Sequence, residues 1–400
     1  MRHLVIIGGG FAGFWSAMSA ARQVGEMGKR DALKITLISK DQYHSIRPRF
    51  YERTVEGMKI PLKKYLDPLK IDLVIGEVSN IDAEERRLSF RDGPSDIFYD
   101  DLILAAGSRL KSVGFPGIGR TFNVDTFEEA SRLDRHLRNL AAAGFPTEGS
   151  INIVVVGGGF TGLEVVTSMP QRLATPRAGN GFQFFLVDRS TTLASNYSPE
   201  ARQYILDQLE KAGIHLLLGE ELEWIEDGEM ILKSGRTIKT ETVVRTIGLE
   251  ASPLTANLKG DRDRLGRLCV DPFLRLSAYD NVFVAGDVAR ALVDDQNTSV
   301  MSCQHAIPQG RVAGHNAVNL MFGGKLIPYS QPRYVTCLDL GGGQALFTTG
   351  WERKVQTIGP EAKALKNQIV TEWIYPAEDP EETVRMSAPE MPPPDDLREE

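Results

Sequence analysis

The sequence predicts an α/β fold: two doubly wound units with parallel sheets, followed by a smaller C-terminal α+β region. Three observations predict it. The apolar run Leu4-Val5-Ile6-Ile7 leads directly into Gly8-Gly9-Gly10-Phe11-Ala12-Gly13. The same pattern returns as Ile153-Val154-Val155-Val156 followed by Gly157-Gly158-Gly159-Phe160-Thr161-Gly162. Later apolar runs, Leu102 to Leu104, Thr242 to Ile247 and Val282 to Val284, each end in small residues or glycine. A short apolar run of this kind reads as a strand buried on both faces of a parallel sheet.

Composition agrees with this reading. The chain has 400 residues, 42% hydrophobic and 25% charged, which is ordinary for globular domains and long enough for several cores. The three cysteines, Cys269, Cys303 and Cys337, form no C-x-x-C or zinc spacing, so they read as small thiols and no metal site is expected. No basic stripe points to nucleic acid. The run Met1 to Ile7 is too short for a signal peptide, and no stretch approaches a transmembrane length, so a cytoplasmic location is expected.

In chain order, Leu4 to Ile7 reads as the first strand and Phe14 to Val24 as a helix. Between them Gly8 permits a tight turn, Gly10 lets a pyrophosphate approach the backbone, and Gly13 lets helix and strand pack closely. Free N–H groups at the helix start, beside Phe11 and Ala12, then face the phosphates. One such turn could be mere architecture. Two in one chain argue for two Rossmann-like dinucleotide-binding domains.

Lys34 to Ile38 reads as the second strand. An acid at its end normally takes the adenosine ribose hydroxyls, but here Ser39 stands there, followed by Lys40. Tyr43 to Glu52, with Arg49 inside it, reads as cover for a planar group or as a surface loop. Leu73 to Val78 and Arg87 to Phe90 read as strands of a meander. Tyr99 to Ser108 is a strand ending at Ala106-Gly107, where backbone can approach a ligand. Phe115-Pro116-Gly117 looks like a boundary, and Asp125 to Leu140 a helix.

The second unit runs from Ile151 to about Ile247. Its second strand, Phe184 to Val187, ends at Asp188, so the acidic position is filled. A carboxylate repels a 2′-phosphate, which favours NADH, while neighbouring Arg189 tolerates NADPH. Glu164 lies in the first turn of the following helix, where it either stabilises the dipole or faces a bound ring. Ser198 to Ala212 reads as a helix, Ile214 to Leu218 as a strand, and Thr242 to Gly248 as a strand ending in glycine. Gly286 allows close approach, and Asp287 can accept from ribityl hydroxyls.

This order of motifs resembles the FAD-dependent pyridine nucleotide oxidoreductases, and looks most like their type II NADH dehydrogenase (NADH:quinone oxidoreductase) branch. The resemblance spans residues 1 to about 350. It rests on Gly8/Gly10/Gly13, Ala105-Ala106-Gly107, Gly157/Gly159/Gly162/Glu164, Ile247-Gly248, Gly286-Asp287 and Gln304-His305-Ala306-Ile307-Pro308-Gln309-Gly310. It implies FAD in the first domain and NADH in the second. Cofactor contacts are then expected at the glycine turns with Phe11, Ala12, Phe160 and Thr161, at Ser39, Lys40, Arg49 and Val78, and at Ala106, Gly107, Asp188, Gly248, Gly286, Asp287 and Ala306. Glu164, Gln304 and Gln309 are the expected catalytic group.

The implied domains are residues 1–118 and 251–320 for FAD, 119–250 for NAD(P)H, 321–375 as a C-terminal domain and 376–400 as a tail. Three departures from the family pattern stand out. Ala106 replaces the usual Thr, and Pro308 takes one of two polar positions before Gly310. Residues 351 to 375 read as strands and a short helix rather than as an amphipathic bilayer anchor.

The expected reaction passes a hydride from NADH to FAD and on to a quinone-like small molecule. Alternatives are a reductase of a small electron-carrier protein and a slow-turnover NADH sensor. Sulfide oxidation is disfavoured because no cysteine lies near Gly157 to Glu164. Membrane contact is at most peripheral, and a homodimer is left open. Residues 376–400 carry nine acids, two bases and six prolines, and read as disordered or loosely packed.

Overall fold

The computed structural model describes residues 1–111, 114–143, 150–174 and 181–390. The first unit contains β1 (Arg2–Ile7), α1 (Phe11–Glu26), β2 (Leu33–Ser39), β3 (Asp72–Ile75) and β4 (Asp101–Leu104). After the helix α2 (Phe127–Ala143), the second unit contains β5 (Ile151–Val156), α3 (Phe160–Leu173), β6 (Phe182–Asp188), α4 (Pro199–Lys211), β7 (Ile214–Leu218) and β8 (Thr242–Arg245). The chain then returns through β9 (Val282–Val284) and the long helix α5 (Cys303–Phe322). It ends with β10 (Val335–Asp339), β11 (Ala345–Thr349), β12 (Lys354–Ile358), α6 (Gly359–Gln368) and α7 (Pro380–Met386).

The first sheet has the order β9-β4-β1-β2-β3 with every pair parallel. The second has the order β7-β6-β5-β8, also parallel throughout. Strands β10, β11 and β12 form a separate antiparallel sheet. In each parallel sheet the first strand is central and its C-terminal end opens into a glycine turn. Leu4, Val5 and Ile6 are fully buried, as are Ile153, Val154 and Val155, which is why these strands read as unbroken apolar runs.

Glycine sets two close approaches. Gly8 has φ +119°, and a Cβ there would sit 2.2 Å from the Ala105 carbonyl oxygen. A Cβ on Gly310 would lie 2.3 Å from the Ala12 carbonyl oxygen, and one on Gly314 2.2 Å from that of Ser16. Helices α1 and α5 therefore touch backbone to backbone, and the Ser19 hydroxyl donates to the Arg311 carbonyl at 2.7 Å.

Two local expectations change. The run Leu73 to Val78 is not one strand: β3 stops at Ile75, Gly76 donates its N–H to Ser39 O, and a meander strand starts at Val78. The first part of the acidic tail is ordered rather than loose. Its helix α7 turns Thr383 and Ser387 inward, both fully buried, and packs Val384 and Met386 against the first domain's core. Tyr65 donates to the Ala377 carbonyl at 2.9 Å, and Lys64 pairs with Glu378. The acids Glu381 and Glu382 stay on the outer face, so net charge does not oppose docking. Residues 391–400 lie outside the described residues.

Candidate functional site

A cleft of about 1810 Å³ opens at the C-terminal ends of the first sheet. Its floor is the first glycine turn, Gly8 to Ala12, and the strand end Ala105 to Gly107. Gly10 caps α1 with no side-chain hydrogen bond, and a Cβ there would meet nothing within 4 Å. The α1 N-terminus thus presents bare N–H groups to open space, as a pyrophosphate requires. Gly13 does not border the cleft: its role is packing, since a Cβ would lie 1.8 Å from Gly8 O.

At one end stand Ser39, Lys40, Glu77 and Val78. Ser39 is buried, and its hydroxyl lies 2.5 Å from where a Gly9 Cβ would be, so the position has room for a short side chain. Two acids, Asp41 and Glu77, border the cleft here, and the Glu77 carboxylate accepts from Lys40 at 3.1 Å. Glu77 follows β3 rather than β2, so no dinucleotide-fold spacing marks it in the sequence.

In the middle, Asp287 accepts from the Ser108 hydroxyl at 2.6 Å, with Arg47 Nη1 3.9 Å away. Burial pushes the Asp287 carboxyl above its ordinary value, against the pull of Ser108 and Arg47. Arg47 also pairs with Asp125. It is Arg47, not the expected Arg49, that faces the cleft. The two flank Pro48 in one 3₁₀ turn, so their side chains leave in different directions. Arg49 is held instead by Glu52 at 2.8 Å and by the Tyr375 hydroxyl at 2.8 Å.

The second unit reaches the same cleft with Phe160, Thr161, Glu164 and Thr246. Glu164 is 4% exposed, and its Oε1 accepts from Lys366 Nζ at 2.7 Å and from the Asp339 N–H at 3.2 Å. Burial pushes its carboxyl up to about 7, opposed by Lys366. Burial pulls Lys366 down most strongly, but the Glu164 charge and hydrogen bond together with Cys337 and Asp339 hold it above its usual value. Tyr51 donates to Asp339 Oδ2 at 2.9 Å, and Lys363 pairs with the same carboxylate. No sequence signal marked Lys366 or Asp339.

The far wall is the start of α5 together with the C-terminal region. Ser302, Cys303, Gln304, Ala306, Ile307 and Pro308 line it, facing Ile369 and Trp373. The buried Ser302 hydroxyl has no partner within the protein. Gln304 borders the cleft, but its amide is occupied: Nε2 donates to Val335 O at 2.7 Å and Oε1 accepts from Val335 N at 3.2 Å. Gln309, expected beside it, is fully buried and does not border the cleft. Its Oε1 accepts from the Gly286 N–H at 2.7 Å, which seats the Gly286-Asp287 turn. Five positions on from Gln304, a helical residue points to the opposite side, toward the first sheet. Cys303 and Cys337 both line the cleft, although neither is near Gly157 in sequence. Burial pushes their thiols up to about 11 and about 12, so both are neutral at pH 7.

A second pocket of about 210 Å³ lies beside the second glycine turn. Gly158, Gly159, Phe160, Asp188, Asn196, Tyr197 and Arg353 are among its walls. Asp188 Oδ2 accepts from the Gly158 N–H at 2.6 Å, and Oδ1 from the Ser190 N–H at 2.7 Å. Gly157, Gly162 and Gly248 border neither cavity; a Cβ on Gly162 would lie 1.7 Å from Gly157 O.

These features fit two dinucleotides: uncapped helix starts behind open glycines, polar groups along one cleft, and an unpartnered hydroxyl at its wall. Among the described residues, no helix is long and apolar enough to cross a membrane, and no group of three or more His, Cys, Asp or Glu could hold a metal.

Comparison with known proteins agrees with the geometry. Residues 2–310 match the family model described as pyridine nucleotide-disulphide oxidoreductase. The NADH dehydrogenase-like protein MT1860 of Mycobacterium tuberculosis is 41% identical over 94% of this chain and 95% of its own. The type II NADH:quinone oxidoreductase of Staphylococcus epidermidis is 23% identical, over 94% of this chain and 95% of its own. The sulfide:quinone oxidoreductase of Aquifex aeolicus shares the fold, with TM-score 0.76 at 19% identity, covering 97% of this chain and 92% of its own.

Proposed function

Because the chain belongs to the pyridine nucleotide-disulphide oxidoreductase family, we propose that it oxidises NADH at the second glycine turn and passes the electrons, through FAD held by the first domain, to a quinone-like small molecule. The enzyme is an oxidoreductase that uses FAD and NAD(P)H. FAD, when bound, supplies the ring that accepts a hydride and gives up its electrons. The observation that carries the acceptor reading is the continuity of the large cleft. It is bordered at once by the first glycine turn, by Phe160 to Glu164 of the second domain, and by the apolar wall of Ile307, Pro308, Ile369 and Trp373.

The protein's own part is to hold and orient. The uncapped α1 N-terminus and Gly10 take the FAD pyrophosphate, Asp287 and Ser108 offer partners to ribityl hydroxyls, and Glu77 with Lys40 stands at the adenosine end. Asp188 keeps the second turn closed through Gly158 and presents its carboxylate to the NADH adenosine ribose. Glu164 holds a proton in the cleft at a carboxyl that titrates near neutrality, with Lys366 as its fixed counter-charge. A quinone that gains two electrons also gains two protons, so a group of this kind belongs beside its site. The apolar wall admits a ring and excludes water.

The test is an acceptor panel. FAD-loaded protein is reduced with NADH without oxygen, then offered soluble quinones, dyes, and ferredoxin- and rubredoxin-type carriers, and kcat/KM is compared. A soluble quinone should give the highest value. A carrier protein that outruns every quinone, or no acceptor better than slow oxygen consumption, overturns the quinone reading.

A further inference from the structure

The pocket beside the second glycine turn is closed by a residue from a different part of the chain. Arg353 sits on the hairpin between β11 and β12 of the C-terminal sheet, yet it shares this pocket with Gly158, Gly159 and Asp188. It also borders the large cleft, so it stands where the two cavities meet.

Its guanidinium is held in place by neutral groups. The carbon Cζ lies 4.5 Å from the centre of the Tyr197 ring and 5.7 Å from that of Tyr334. Nη2 donates to the Tyr334 hydroxyl at 3.0 Å. The Asn196 side-chain carbonyl, in its hydrogen-bonding orientation, accepts from Nη1 at 2.8 Å and from Nη2 at 3.2 Å. The backbone carries φ +50°, a left-handed conformation costly for arginine, so the hairpin holds it there under constraint. Its neighbour Trp351 stacks on Tyr334 at 4.4 Å and 9°, and Tyr334 stacks in turn on His305 of α5 at 6.0 Å and 15°. The hairpin is thereby fixed against α5 before any ligand arrives.

The charge is not balanced. Among the described residues, no carboxylate forms an ion pair with Arg353. The helix beside it adds positive potential: Gly159 precedes α3 as its cap position, with no side-chain cap, and α3 has no acid in its first turn. A Cβ on Gly159 would meet nothing within 4 Å, so the backbone there is open to a ligand. A planar guanidinium with five donors, pre-oriented by rings and amides, matches the paired oxygens of a pyrophosphate.

We propose that Arg353 is a ligand of the NAD(P)H pyrophosphate, contributed by the C-terminal sheet, so that the second domain alone does not form the complete dinucleotide site. The proposal rests on the second glycine turn being that site. Holding the dinucleotide from the hairpin that also packs on α5 links its binding to the wall of the large cleft.

The test is direct binding to FAD-loaded protein, read by calorimetry with NAD⁺, which is redox-silent here, and with ADP-ribose. Adenosine, which lacks the pyrophosphate, serves as a competing ligand read by NMR. Arg353→Gln should weaken NAD⁺ and ADP-ribose by ~10-fold or more, with adenosine little changed, because a charge-assisted pair is lost. Arg353→Lys should recover part of the loss. FAD content and the unfolding midpoint are measured on both variants. Equal NAD⁺ affinity in wild type and Arg353→Gln overturns the proposal alone. Equal weakening of all three ligands also overturns it, by showing that Arg353 only supports the fold. Wild-type protein that binds no dinucleotide overturns the reading of the second turn, and this proposal with it.

Discussion

Lys366 Nζ lies 2.7 Å from Glu164 Oε1, across 202 residues of sequence, and both side chains are almost wholly buried. The pair joins helix α6 to the second turn of α3 at the wall of the cleft. The lysine is what allows a carboxyl to remain ionisable near neutral pH in such a place. Glu164 is pushed up to about 7 by burial, and losing the ammonium moves it further the same way.

Lys366→Met should therefore destabilise the protein in a pH-dependent manner. A carboxyl raised in the folded state contributes stability below its unfolded value, and loses it as pH rises through the folded value. In the wild type that loss falls between about 4.5 and about 7. In the variant it continues above 7, so the deficit should be small at pH 5.5 and reach about 2 kcal/mol at pH 8.5. Urea unfolding at both pH values checks this, and adding Glu164→Gln should remove most of the deficit. An equal deficit at both pH values would show that Lys366 acts by packing alone.

Asp188→Ala should raise KM for NADH by about tenfold, the scale of a lost hydrogen bond to a charged group. NADPH, already repelled by the carboxylate, should lose less. Steady-state kinetics with both nucleotides gives the ratio. Equal loss of both would mean that Asp188 acts only by closing the turn through Gly158.

Acid should destabilise the fold through two buried histidines. Burial pushes His44 and His305 down to about 4, so both are neutral in the folded protein. The unfolded chain takes up those protons near 6.5 and the folded chain does not. Stability contributed by neutral His44 and His305 is thus full above 6.5 and is lost as pH falls toward 4, by up to about 3 kcal/mol per histidine. His44→Asn keeps a donor for the Gly9 carbonyl, which His44 Nδ1 meets at 3.0 Å. It should flatten the decline over that window, measured by urea midpoints from pH 7 to pH 4.5. An unchanged slope would remove His44 as a cause.

Gly310→Ala should cost about 1–3 kcal/mol and loosen FAD. The new Cβ would meet the Ala12 carbonyl at 2.3 Å, forcing α5 away from the N-terminal turn of α1, the turn proposed to hold the FAD pyrophosphate. Gly119→Ala, where nothing lies within 4 Å, is the control and should be near neutral. Released flavin on dilution and unfolding midpoints read both effects. A Gly310→Ala protein as stable and as fully loaded as the control would show that the helices can part without penalty.

The two parallel sheets, their glycine turns and the strand ends that border the cleft were legible in the sequence. Those features depend on local rules: strands buried on both faces read as apolar runs, and positive φ or backbone contact requires glycine. Glu164, Asp188 and Gly286-Asp287, which the family pattern singles out, lie at cavity walls. Which side chains face inward depends on how distant segments pack. Arg47 rather than Arg49 enters the cleft because they leave one tight turn in different directions. Gln309 turns to the Gly286 N–H because a buried donor there needs an acceptor. Lys366 and Arg353 reach the cavities because an antiparallel sheet and one helix pack across α3 and α5. Such contacts join residues far apart in the chain, and no local period or spacing encodes them.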